Sequence, residues 1–269
     1  MKKCAWLLTA LFLLAGCTRE EPAPIWTPSP ASPTPSAAVS PEPESAWWEG
    51  LVEEDLPTGL ASTDQLGALG EEEVLLLGRT AVTSLYVLGG DSGILLLRNG
   101  RLSHFGQQVS PKDSLSLPEL YQWDYDGDGL DELAVRYLME AEGDQIVYDL
   151  HIYDWSDETC TDLPVTRDAC ADRALAAVTS DYDPGSGTLT LSYGDTSAVY
   201  RFPEQYRQSP GRISFATSFF REQNGVFTVI LGARAESTGA WFANVLADIE
   251  YDGADFTLRN LRVEPTTVV

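Results

Sequence analysis

The stretch Trp123-Asp124-Tyr125-Asp126-Gly127-Asp128-Gly129-Leu130-Asp131-Glu132-Leu133 constrains this chain more than any other. It places five carboxylates within nine residues, between two apolar runs. So much negative charge in one bend is unfavourable unless a cation neutralises it. Asp124, Asp126 and Asp128 occupy positions 1, 3 and 5, a spacing that points their oxygens at one centre, and Gly129 at position 6 permits the sharp turn. This is how a Ca²⁺ loop opens. An EF-hand closes such a loop with a bidentate Glu at position 12 and continues as a helix. Here position 12 is Val135, inside the apolar run Leu133–Leu138, and the closing acid falls at position 9, Glu132. The loop closes early and runs into a strand, so it belongs neither to an EF-hand nor to a dockerin.

The pattern D-x-D-G-D-G-x-x-[DE]-L-x-V at these residues resembles the calcium loop of FG-GAP and VCBS-type repeats, found in integrin-like β-propellers and many bacterial surface proteins. A looser likeness to bacterial lipoproteins with one VCBS-like repeat runs from about Glu71 to Trp155, through Leu-Pro-Glu-Leu (117–120), the acidic loop and Asp-Leu-His-Ile-Tyr (149–153). The resemblance implies Ca²⁺ held by Asp124, Asp126, Asp128, Glu132 and the backbone carbonyl of Leu130. It does not imply any one activity.

The start of the chain reads as a targeting segment. Lys2 and Lys3 precede an apolar run, Ala5 to Ala15, too short to span a bilayer. It ends Leu13-Leu14-Ala15-Gly16-Cys17, which resembles a bacterial lipobox. That likeness implies removal of residues 1–16 and a diacylglyceryl thioether on Cys17. Two acyl chains suffice for stable attachment, so an extracytoplasmic, lipid-anchored domain is expected. Residues 17–45 follow with half of the chain's 16 prolines among Ser, Thr, Ala and Glu, a composition that cannot build a core and reads as a disordered linker. The folded part is expected at 46–269.

A formal net charge of −24 repels nucleic acid and anionic lipid surfaces and makes both poor partners; no nucleic acid is expected. With Cys4 in the leader and Cys17 as the lipid site, Cys160 and Cys170 remain. In an extracytoplasmic compartment the pair reads as a disulfide, with two buried free thiols as the alternative; a redox-active pair fits less well, because the spacing is not Cys-x-x-Cys.

From Glu72 onward the pattern is β. Val74–Leu77, Ala81–Leu88 and Ile94–Leu97 are short apolar runs broken by Gly, and Asn99-Gly100 predicts a hairpin into Arg101–Phe105. Pro111–Pro118 reads as a loop. Leu133–Met139 and Gln145–Trp155 follow the acidic loop as strands. Thr166–Val178 is the one helical candidate, with Thr166 as cap and Asp168 against the helix dipole. Asp183–Gly187 is a turn. Arg212–Glu222, Val226–Arg234, Gly239–Tyr251 and Ala254–Arg262 form a four-stranded meander through Asn224-Gly225, Ser237-Thr238-Gly239 and Asp252-Gly253. The expected fold is mainly β, antiparallel, propeller-like or a sandwich, with one short helix.

Catalytic signatures are absent: no G-x-S-x-G, H-E-x-x-H, Walker or Rossmann pattern occurs, and His104 and His151 lie on separate expected strands without metal-ligand spacing. A non-enzymatic binding or scaffold role is therefore expected. A glycan hydrolase with two carboxyl groups in a cleft is one alternative. The other is a sugar- or peptide-binding lipoprotein that presents Trp47, Trp48 or Trp241 to a cell-surface glycan or protein.

Overall fold

The computed structural model describes residues 46–109, 111, 116–155 and 159–266, all within one compact unit. The leader, Cys17, the proline-rich segment, part of the 111–118 loop and the last three residues lie outside the described residues.

Four strands open the fold as an antiparallel meander: β1 (Val74–Arg79), β2 (Thr83–Leu88), β3 (Gly93–Arg98) and β4 (Arg101–Phe105). Asn99 and Gly100 turn β3 into β4 with φ of 52° and 74°, as an Asn-Gly hairpin requires. A second, larger sheet begins with β5 (Glu119–Trp123), β6 (Glu132–Glu142) and β7 (Gln145–Asp154). To it belong β8 (Thr161–Val165) and the C-terminal meander β12 (Ile213–Gln223), β13 (Val226–Ala235), β14 (Ala240–Tyr251) and β15 (Phe256–Pro265). Between them in the chain, β9 (Thr179–Asp183), β10 (Thr188–Tyr193) and β11 (Thr196–Arg201) make a separate three-stranded sheet.

One edge of β7 is divided. Leu150–Asp154 pair with β8, while Val147 meets Ser218 of β12 in parallel, and the Ser218 hydroxyl donates to the Tyr148 carbonyl at 2.6 Å. The large sheet curls from there, so that the β12–β13 hairpin returns over β5 and β6: Phe227 packs on Tyr121 and Tyr125, at 5.2 and 5.4 Å between rings.

The layers follow from alternation along each strand. On β6, Leu133, Val135 and Tyr137 face the four-stranded sheet, against Leu85, Val87, Ile94 and Leu96. Ala134 faces the opposite way, with Leu150, Ile152 and the aromatic core of the meander. The strand is buried on both faces, which is why Leu133–Tyr137 is an unbroken buried run rather than an alternating one. The outer side of the four-stranded sheet carries Leu76, Tyr86, Leu88 and Leu95 under Trp47, Trp48 and Leu51. The fold is thus a stack of sheets, as in a sandwich. The C-terminal meander is part of a larger sheet and not a separate blade.

The expected helix is α2, Arg167–Ala177. The Ala169 amide donates to the Thr166 hydroxyl at 3.2 Å, and Cys170 and Ala174, one turn apart, bury its inner face. A one-turn helix, α1 (Thr63–Leu66), adds to it through a Ser62–Gln65 capping box. Four residues lack the apolar periodicity that would announce it.

Candidate functional site

The acidic loop joins β5 to β6, and the sequence folds it onto its own carboxylates. Asp124 accepts the Gly127 amide at 2.7 Å and the Gly129 amide at 3.0 Å. Asp126 accepts from Asp128 at 3.0 Å, and Asp128 from Leu130 at 2.7 Å. Each carboxylate is thereby fixed by one oxygen or both, and the two glycines take φ of 80° and 93° that a side chain would oppose. Glu132, the first residue of β6, reaches back to accept the Tyr125 amide at 2.6 Å.

One ligand atom from each of Asp124, Asp126, Asp128 and Glu132 falls within 4.8 Å of all the others. Oxygens on opposite sides of a Ca²⁺ stand about 5 Å apart, since each bond is roughly 2.4 Å. The four side chains therefore share one centre at a separation that a metal ion spans. Among the described residues this is the group of His, Cys, Asp and Glu with such geometry.

Glu132 gives the cluster its chemistry. It is 1% exposed, and its second oxygen, Oε1, is buried without a hydrogen-bond partner. Burial, reinforced by Asp126, Asp154 and Asp124, pushes its carboxyl up to about 7, against the downward pull of the Tyr125 amide. A buried carboxylate oxygen with no donor is costly unless a cation meets it. Leu130, between Asp128 and Glu132, has a half-exposed side chain.

Tyr125 sits inside the loop with its ring in the meander core, and burial raises its phenol far above the usual range. Trp123 stands 52% exposed, with its indole directly over Gly225 of the β12–β13 turn. Gly253, in the β14–β15 turn, lies beside Asp126: a Cβ there would be 3.1 Å from Oδ2. Tyr251, at the end of β14, donates to the buried Asp154 at 3.3 Å. These contacts come from residues about 100 or more positions away in the chain, and no local pattern in the sequence announces them.

The expected disulfide is not there. Cys160 and Cys170 are both free. Cys160 packs in the core between the two larger sheets, whereas Cys170 lies on α2 in the core on the other face of the large sheet. A short spacing in the chain does not bring two thiols together when a sheet separates them. The proposed aromatic platforms are also engaged. Trp48 stacks on His104 at 3.7 Å, Trp47 packs with the outer core, and the Trp241 indole donates to Asp144 at 2.7 Å. The two histidines are apart: His104 contacts the Ser92 carbonyl at 2.6 Å, and His151 contacts Asp162 at 2.9 Å.

Comparison of the chain with family models, with curated proteins and with solved structures gives no match. The loop's own geometry is what defines the molecule: a mainly β protein with a carboxylate cluster that can hold a metal ion.

Proposed function

We propose that this chain is an extracytoplasmic lipoprotein, tethered to a membrane through Cys17, whose β-rich domain is braced by one structural Ca²⁺ and serves a non-enzymatic binding or scaffold role. The observation that carries the metal reading is the convergence of four carboxylates on one centre, with Glu132 Oε1 buried and unpartnered. An all-carboxylate donor set suits a hard cation. Ca²⁺ takes six to eight oxygens in flexible geometry, whereas Mg²⁺ demands a near-ideal octahedron and keeps its waters. Asp124, Asp126, Asp128 and Glu132 supply the side-chain oxygens, and the Leu130 carbonyl supplies a further one. The lipobox-like Leu13–Cys17 and the proline-rich segment after it support the anchor.

The test uses the two aromatic residues beside the ligands. Terbium added to the purified protein is expected to show emission sensitised by Trp123 and Tyr125, which Ca²⁺ competes away. Asp126→Ala is expected to abolish it. No emission, together with no Ca²⁺-dependent rise in melting temperature, ends the metal reading. For the anchor, Cys17→Ser is expected to move the protein from the membrane to the soluble fraction.

A further inference from the structure

We propose that the cation bound at the β5–β6 loop latches the curl of the large sheet, by fixing the loop against the two hairpin turns of the C-terminal meander. This rests on the metal reading above and adds the element that the ion controls. Three contacts carry it. The Trp123 indole covers Gly225 so closely that a Cβ would stand 2.2 Å from Nε1. Tyr125, whose amide is held by the ligand Glu132, inserts its ring against Phe227 just beyond the same turn. The ligand Asp126 lies beside the β14–β15 turn, where a Cβ on Gly253 would stand 3.1 Å from its Oδ2, and Tyr251 before that turn donates to Asp154.

Without a cation the four carboxylates repel one another, and the loop that positions Trp123, Tyr125 and Asp126 loses its common centre. Both turns then lose the surface they rest on. With the cation the loop is rigid and both turns are held, although neither supplies a ligand. Coupling of this kind is reciprocal: what the ion does for the turns, the turns do for the ion.

Hydrogen exchange on the full chain in detergent, with and without Ca²⁺, tests the latch. Amides of 224–226 and 252–255 are expected to exchange at least about tenfold more slowly with Ca²⁺. Amides of the Tyr193–Thr196 turn, in the three-stranded sheet, are expected to change much less. Trp123→Ala keeps every ligand; it is expected to bind Ca²⁺ several-fold more weakly by calorimetry and to lose the protection at 224–226 while keeping that at 252–255. Ca²⁺ binding by calorimetry without slowed exchange at either turn overturns the latch and leaves the metal site standing. Equal slowing at all three turns also overturns it, since that is the mark of global stabilisation alone. Absence of Ca²⁺ binding overturns both readings.

Discussion

At Glu132 a carboxylate is held almost out of water with one oxygen unpartnered, among Asp124, Asp126 and Asp154. Such a residue works against the ion-free fold and for the ion-bound one. Glu132→Gln keeps the shape and removes the charge, so two opposite effects are expected. In chelator the variant melts higher than the parent, and its Ca²⁺ affinity falls by at least about tenfold. Calorimetric titration and melting curves in chelator check this; a variant that melts lower in chelator refutes the account of Glu132. The cysteines make a separate case. Burial pushes both thiols up to about 12. The thiolate is the reactive form, so at pH 8, far below that value, both stay protonated. Maleimide is expected to label neither residue in the native protein and both in denaturant, as counted by mass spectrometry.

Among the elements, those with a local code were readable in the sequence. Asn99-Gly100 and Asn224-Gly225 took the left-handed conformations of tight hairpins, and Thr166 capped its helix. Thr166→Ala is expected to cost about 1 kcal/mol, which lowers melting by roughly 2–4 °C in a domain of this size. In the three-stranded sheet, β9, Thr-Ser-Asp-Tyr-Asp, escaped because it is polar and mostly exposed and lacks the apolar signal of a strand, whereas β10, Thr-Leu-Thr-Leu-Ser-Tyr, carries the alternation of a half-buried strand that a reading of the sequence could have found. The carboxylates of the metal cluster were legible because all of them lie within nine residues of chain. Tyr251, Gly225 and Gly253 were not, since only the curl of the sheet brings them to the loop, whereas Asp154 reaches it through the local β6–β7 hairpin, in which Leu133 pairs with Tyr153. Cys160 and Cys170 failed for the same reason in reverse: ten residues apart in sequence, they are parted by a sheet.

At the scale of the whole molecule, a net charge of −24 sets the direction of every cation effect. An ion that binds only the folded state at about 100 times its Kd adds about 2.7 kcal/mol, roughly 5–10 °C in melting temperature. Chelation is expected to remove that increment and Asp128→Ala to make the protein insensitive to chelator; scanning calorimetry in matched buffers decides. The divided edge of β7 has a consequence for how the chain assembles. β5 to β8 are near neighbours in sequence, but the rung from Val147 to Ser218 closes a gap of 71 residues. Long closures are entropically slow to form, so a nascent chain completes its first sandwich early and waits for the last four strands to arrive. Until they do, the face of β7 that carries Leu150 and Ile152 stands open to solvent contact, and that interval is when the protein is most exposed to self-association.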